Sequence, residues 1–201
     1  MQTTLNYRTN RDLFSNYYLD EYLPETNAWD ELSDDELREA RADIMHVWEK
    51  QQDTVAERTE SSLEEKFIRP IFRKLDIPFE VEETVQRGQR RPDYGFFPNE
   101  DATQYAFTRK KNDGDFYKDA VAVADAKRWG RSLDTRGSGE NRRDFENPSY
   151  QIHVYLQETP TQWAVLTNGK KWRLYYGPTS HRLDSYYEVD LPTILEKGDI
   201  E

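Results

Sequence analysis

Apolar and polar residues follow a pattern that predicts a helical start to the chain. Apolar residues recur at helical spacing over 10–23, and Pro24 ends that helix. After a polar linker at 24–32, residues 33–36 have the sequence of a capping box, and apolar residues at helical spacing continue to residue 48. Residues 1–60 are therefore predicted to form a helical N-terminal appendage that packs against the rest and carries no chemistry.

A second capping-box pattern, at Ser61 or Ser62 with Glu64 or Glu65, predicts a helix that runs to about residue 75. At about 100° per residue, Glu64 falls at the centre of the apolar face of this helix and Glu65 at its edge. Glu65 therefore suits the cap. Glu64 is predicted to point inward, where it is either satisfied by backbone groups or directed at a site.

Strands dominate the remaining chain. The predicted elements, in order, are a strand at 79–85, a strand at 94–97, a short helix at 101–111, a strand at 119–127, a polar loop at 130–147, a helix to residue 158, a hairpin of strands at 163–167 and 172–176, and a weak strand at 185–191. The Asn168-Gly169 pair suits the hairpin turn. This order predicts an α/β domain over 61–201, with a mixed β-sheet core flanked by helices.

One predicted strand ends in charged residues. The apolar run at 120–124 leads into Asp125-Ala126-Lys127, and Asp125 and Lys127 point to one side because strand side chains alternate. A second carboxylate, Asp93, follows Pro92 at the start of another apolar segment. Buried charges need a partner or a metal. These residues fit either a divalent cation bound beside a phosphodiester or a buried salt bridge between Lys127 and one aspartate.

Composition narrows the class of protein. With 28 Lys and Arg against 39 Asp and Glu, the net charge is −11, which is unusual for a nucleic-acid binder. Either a halophilic source or an ordinary acidic surface with a local basic site explains it. The absence of cysteine excludes disulfides and thiolate metal sites. Without an apolar leader or a membrane-length apolar segment, we expect a cytoplasmic protein that does not enter a membrane.

Other candidates for chemistry are weaker. The three histidines, His46, His153 and His181, are scattered, so neither a histidine metal site nor a catalytic triad is expected. Arginines cluster near Asp93 and in the polar loop, where they either contact DNA phosphates or are simply solvated. These candidate DNA-binding residues are Arg90, Arg91, Arg131, Arg136, Arg142 and Arg143.

Five motifs together resemble the PD-(D/E)xK nuclease, or restriction-endonuclease-like, fold. They are Pro92-Asp93, Asp125-Ala126-Lys127, Gln151-x-x-x-Tyr155, Thr167-Asn168-Gly169 followed by Trp172-Arg173-Leu174-Tyr175, and Glu64-x-x-Phe67. The third and fourth look like the QxxxY motif and the TNG/WRLY hairpin of nuclease domains in type I and type IIG restriction enzymes. The resemblance covers residues 62–176 well and 10–60 loosely.

The resemblance implies Mg²⁺-dependent hydrolysis of double-stranded DNA by a site-specific deoxyribonuclease domain. Asp93, Asp125 and the Ala126 carbonyl would hold the metal, as a hard cation prefers oxygen ligands. Lys127 would position or help deprotonate the attacking water and offset charge on the phosphate. Asp125 stands where relatives often have Glu, which the pattern permits.

Two helical positions complete the implied catalytic set. Glu64 would hold the metal through water or orient Lys127, and Gln151 would orient Lys127 or the nucleophile. Tyr155 lies four residues after Gln151 on the same helix face and is expected to pack rather than react.

The resemblance also implies partner domains. In such enzymes the methyltransferase and specificity domains normally lie downstream, so this chain is expected to be the N-terminal part of a larger restriction–modification enzyme used in phage defence. The alternative is a catalytically inactive nuclease fold that binds DNA or protein. The net charge predicts weak DNA binding by this domain alone and, for a halophilic protein, thermal stability that rises toward molar salt.

Overall fold

A mixed β-sheet forms the centre of the protein. The computed structural model describes residues 7–81, 91–112, 116–135 and 147–197, with the side chains of 110–112 excepted. Within them the strands are β1 Arg8–Arg11, β2 Phe79–Val81, β3 Tyr94–Phe96, β4 Ala122–Ala126, β5 Trp163–Thr167, β6 Lys171–Tyr176 and β7 Tyr186–Asp190. Their order is β1-β7-β6-β5-β4-β3-β2, and only the β4–β5 pair among these is parallel. The α/β class and mixed sheet predicted from sequence are confirmed.

Helices cover both faces of the sheet. They are α1 Asn27–Asp30, α2 Asp34–Gln51, α3 Glu60–Leu63, α4 Arg69–Lys74, α5 Glu100–Asn112, α6 Pro148–Glu158 and α7 Leu191–Lys197. A π-helical turn, Glu64–Ile68, joins α3 to α4, so residues 60–74 are helical throughout. Among the described residues, no helix is both long and apolar enough to span a bilayer.

Each sheet face buries its own apolar cluster because strand side chains alternate. On one face, Val123 and Leu166 pack with Ile152 and Tyr155 of α6. On the other, alanines of β4 pack with the helical segment 60–74 and with α2 and α7. Asp125 and Lys127 alternate with these alanines, so they share the α6 face with Val123.

The N-terminal region differs from its predicted form. Residues Arg8–Arg11 are a strand that pairs with β7 at the edge of the sheet, so the helix predicted from residue 10 is wrong there. Backbone pairing with an unpaired edge strand outweighed the local helical pattern. The capping box predicted at Ser33 and Glu36 is confirmed at the start of α2.

The second predicted cap is displaced by two residues. Thr59, not Ser61 or Ser62, caps α3, and its hydroxyl accepts a hydrogen bond from the Ser62 N–H at 3.3 Å. Glu65 is not the cap partner but pairs with Arg69 at 3.1 Å. The helix therefore begins one turn before Glu64, which brings Glu60 onto the same face.

The predicted Asn168-Gly169 hairpin is confirmed between β5 and β6. Gly169 has φ +81°, and a Cβ there would lie 3.0 Å from the ring of Trp129. Both the backbone conformation and this close approach require glycine. The turn is therefore fixed against the segment that follows Lys127.

Candidate functional site

The candidate site begins with a row of residues that crosses four strands. The strand register sets Asp125 of β4 beside Leu166 of β5, Leu166 beside Arg173 of β6, and Arg173 beside Glu188 of β7. Continuing the β3–β4 register by one place sets Asp93 opposite Asp125. Two carboxylates thus face each other across neighbouring strands, an arrangement that is unfavourable unless a positive charge joins them.

Proline at position 92 explains how Asp93 is held. Two places along the same register, Pro92 lies opposite Ala126 and has no N–H to donate to the Ala126 carbonyl. The Ala126 N–H instead donates to Asp93 Oδ2 at 2.8 Å. The Pro-Asp pair therefore replaces a backbone ladder bond with a side-chain bond, and it leaves a backbone carbonyl beside two carboxylates.

Lys127 supplies the positive charge. Its Nζ forms an ion pair with Asp125 Oδ2, and Asp125 is only 2 % exposed. Burial lowers the pKa of the Lys127 ammonium, but attraction to Asp125 and Asp93 outweighs burial and the net pKa is raised. Burial and repulsion by Asp125 raise the pKa of Asp93 well above its usual range, against the opposing pull of Lys127.

Glu64 points inward, as predicted. Tyr94 Oη donates to Glu64 Oε2 at 2.5 Å, and the Arg69 guanidinium lies 3.7 Å from the same oxygen. Glu64 is therefore satisfied by side chains and not by backbone groups. Burial and the negative charge of Glu64 raise the pKa of Tyr94, which keeps that phenol protonated as the donor.

Sequence reasoning missed Glu60, which is a neighbour of the site. Its Oε2 accepts a hydrogen bond from the Arg128 N–H at 3.1 Å, which ties the start of α3 to the residue after Lys127. Partial burial raises the pKa of Glu60, and attraction to Lys127 opposes the rise. The sequence did contain a signal for Glu60, because a residue four places before Glu64 lies on the same helix face. It was missed because the helix was predicted to begin after Ser61 or Ser62 and not after Thr59.

The structure places Gln151 and Tyr155 on α6, over the same sheet face as Asp125 and Lys127. Gln151 is buried in the first turn of the helix. Tyr155 is part of the apolar cluster with Val123 and Leu166, so its predicted packing role is confirmed.

The candidate DNA-binding arginines divide into three groups. Arg90, Arg136, Arg142 and Arg143 lie outside the described residues. Arg91 is half-buried just before Pro92. Arg131 is only 8 % exposed, its carbonyl accepts from Asn168 Nδ2 at 2.9 Å, and its guanidinium donates to the Thr135 carbonyl at 3.4 Å. The position of Arg131 favours a structural role rather than contact with phosphates.

The donor set suits a hard cation that keeps several waters. Asp93, Asp125 and the Ala126 carbonyl supply oxygen donors alone, which Mg²⁺ prefers, and the carboxylates outnumber the single ammonium between them. In the described part of the chain, no three His, Cys, Asp or Glu side chains converge into a metal-binding group. A cation here would therefore depend on two carboxylates, a carbonyl and water.

Comparisons with protein-family models, curated proteins and solved structures found no match to this chain.

Proposed function

We propose that this chain is a Mg²⁺-dependent DNA endonuclease domain of the PD-(D/E)xK kind, the N-terminal part of a type IIG-like restriction–modification enzyme. The observation that carries the proposal is that Asp93, held by the Ala126 N–H, meets the end of β4, where Asp125 forms an ion pair with Lys127. The resemblance of five motifs to restriction nucleases supports it further.

Each residue of the site has a role in this proposal. Asp93, Asp125 and the Ala126 carbonyl would hold Mg²⁺, which would supply an activated water and neutralise charge on the phosphate. Lys127 lies beside both carboxylates, where it would position or help deprotonate the attacking water and stabilise the extra negative charge of the pentavalent phosphate.

Helical residues support this set. The short bond from Tyr94 to Glu64 fixes the Glu64 carboxylate at the end of β3, where it adds negative charge next to Asp93. Glu60 holds the backbone of Arg128 and so fixes the strand end that carries Lys127. Gln151, buried in the first turn of α6 over the same sheet face, would orient Lys127 or the nucleophile.

Cleavage of plasmid DNA in Mg²⁺ and in EDTA tests the proposal. We expect Asp125→Asn and Lys127→Ala each to reduce Mg²⁺-dependent cleavage by about 10²-fold or more, since each removes a charge that acts on the transition state. Asp184→Asn, an exposed carboxylate outside the site, is the matched control and should cleave normally. Cleavage at the wild-type rate by either site variant would overturn the assigned roles. DNA binding without cleavage by the wild type would favour the inactive-module alternative.

A further inference from the structure

A groove lies beside the candidate site, between the turn at 55–59 and the segment that follows Lys127. It has a volume of about 400 Å³. Its described lining residues are Ala56, Glu57, Arg58, Thr59, Arg128, Trp129, Gly130 and Arg131. The groove borders the site, because its lining residues Thr59 and Arg128 are next in sequence to Glu60 and Lys127, and the Arg128 N–H donates to Glu60 Oε2.

Three arginines against one glutamate, Glu57, give the lining of the groove a net positive charge, and Arg58 and Arg128 carry the argument. The Arg58 guanidinium donates to Gln51 Oε1 at 2.6 Å, to Ser62 Oγ at 3.0 Å and to Thr54 Oγ1 at 3.3 Å, which are all neutral oxygens. The Arg128 side chain is exposed. Among the described ion pairs, none involves either guanidinium. In a chain of net charge −11, this local excess is notable.

The walls of the groove are held firmly. Trp129 stacks on Trp48 of α2 with ring centroids 5.8 Å apart and meets the edge of Phe67 at 5.9 Å. The three neutral oxygens fix the direction of the Arg58 guanidinium. A guanidinium held in place beside a second, exposed one suits phosphate groups, which attract both charges. The acid among these lining residues, Glu57, is exposed and forms no described ion pair.

We propose that this groove binds the phosphates next to the scissile one, on the DNA strand that the candidate site cuts. This proposal rests on the proposed function, because the candidate nuclease site is what defines the scissile phosphate and the path of the DNA strand away from it. Arg128 and Arg58 are the phosphate contacts, and the N-terminal region supplies one wall. The region that the sequence assigned to packing alone thereby takes part in substrate binding.

A cysteine cross-link tests the location of the DNA, even where affinity is weak. The chain contains no cysteine, so Ala56→Cys places a single thiol at the groove rim. We expect it to cross-link, in metal-free buffer, to duplex DNA that carries a mixed-disulfide tether on a backbone phosphate, by an exchange that releases the small leaving thiol. His181→Cys, at an exposed position after β6, is the control and should react at least about tenfold less. Equal reaction at both positions, or preferential reaction with an RNA duplex, would overturn the proposal.

Charge variants test the contacts themselves. Arg128→Ala should weaken metal-free DNA binding by about threefold to fivefold, since single exposed charge contacts are weak. It should also reduce the slope of log affinity against log salt by about 1, the loss of one phosphate contact. Arg58→Lys keeps the charge but loses the three bonds that position it at the groove, so it should weaken binding without changing that slope. Arg38→Ala, an exposed arginine of α2, should bind as the wild type does.

The nuclease hypothesis and the groove hypothesis can be rejected independently of each other. Mg²⁺-dependent cleavage by the wild type, together with unchanged binding and cross-linking in the groove variants, would remove the groove and keep the nuclease. Cross-linking in the groove without any cleavage would remove the nuclease and keep the groove as a DNA-binding surface.

Discussion

Two charged clusters lie on the same sheet face, separated by the single residue Leu166, and they differ in charge balance. In one, Arg173 bonds to Glu188 at 2.5 Å and to both oxygens of Asp134 at 2.5 and 2.9 Å, while Lys171 bonds to Glu188 at 2.8 Å. Two cations meet two carboxylates there. In the other, Lys127 faces both Asp93 and Asp125, so negative charge is in excess.

The two clusters shift aspartate pKa values in opposite directions. The hydrogen bond from Arg173 is the largest influence on Asp134 and lowers its pKa. Burial and a neighbouring carboxylate raise the pKa of Asp93. A closed ion-pair network favours the charged form of each member, whereas a binding site holds charge that its ligand must neutralise. The opposite pKa shifts of Asp134 and Asp93 therefore distinguish a structural salt bridge from a candidate metal site better than the types of residue do.

The balanced cluster also fixes the segment after Lys127. Asp134 is held by Arg173, its carbonyl accepts from Asn147 Nδ2 at 2.7 Å, and the Leu133 carbonyl accepts from Ser149 Oγ at 2.7 Å. Residues 133 and 134 are thus attached to both the hairpin and the start of α6. The Arg173 cluster therefore helps to fix the backbone that borders the candidate site.

The largest expected effect is on the balanced cluster. Arg173→Met should lower the free energy of unfolding by about 3–5 kcal/mol, because buried Glu188 keeps only the partly exposed Lys171 as a partner and Asp134 loses both of its bonds. Lys127→Met, the matched change in the candidate site, should cost less, since Asp93 already has a raised pKa and can take up a proton. Urea denaturation of both variants at pH 7 in EDTA measures the difference. Equal losses would mean that the candidate site is a structural network too.

Metal binding should stabilise only one cluster. At about 100 times its Kd, Mg²⁺ should raise the free energy of unfolding by about 2.7 kcal/mol. The Asp125→Asn variant should lose this stabilisation by Mg²⁺. The Asp134→Asn variant should keep it, although that variant is less stable than the wild type without the metal. Thermal melting with MgCl₂ against NaCl of equal ionic strength measures it. An increment that survives Asp125→Asn would place the cation elsewhere.

The pH dependence should have opposite signs in the two clusters. Because the folded pKa of Asp93 is raised, the native state holds the extra proton, and wild-type stability falls as pH rises above the unfolded value of about 3.9. Asp93→Asn keeps the acceptor for the Ala126 N–H, so it should gain stability over the wild type across that range. Because the folded pKa of Asp134 is lowered, its contribution is present above about pH 3.9 and is lost as pH falls through the folded value.

Asp134→Asn should therefore lose stability relative to the wild type at neutral pH and approach it in acid. Unfolding curves from pH 3 to 8 in EDTA separate the two variants. Parallel pH profiles for both would contradict the assigned charge balance.

The smallest expected effect concerns the surface. If the charge of −11 reflects a halophilic protein, raising KCl from about 0.1 M to molar concentrations should raise the Tm by about 2–4 °C, the shift produced by ~1 kcal/mol in a domain of this size. Melting curves across that range test it. A flat or falling Tm would leave the ordinary acidic surface as the explanation.

The amino-acid sequence by itself determined the elements with strong local signals. The helix of residues 148–158, the Asn168-Gly169 hairpin and the buried β4 strand follow from periodicity, capping and turn chemistry, which depend on neighbouring residues only. Because side chains alternate along any strand, the sequence alone also placed Asp125 and Lys127 on one side of β4. It also marked Glu64 as inward, because a helix face is a local property.

Only the tertiary structure decided the rest, because it depends on residues far apart in the chain. Three such features are the pairing of Arg8–Arg11 with β7, the contact of Glu60 with Arg128 and the burial of Arg131, each of which joins distant parts of the chain. The register that sets Asp93 opposite Asp125 is fixed by strand pairing between segments about 30 residues apart. Charge balance, which separates the candidate site from the Arg173 cluster, appears only when those strands lie side by side.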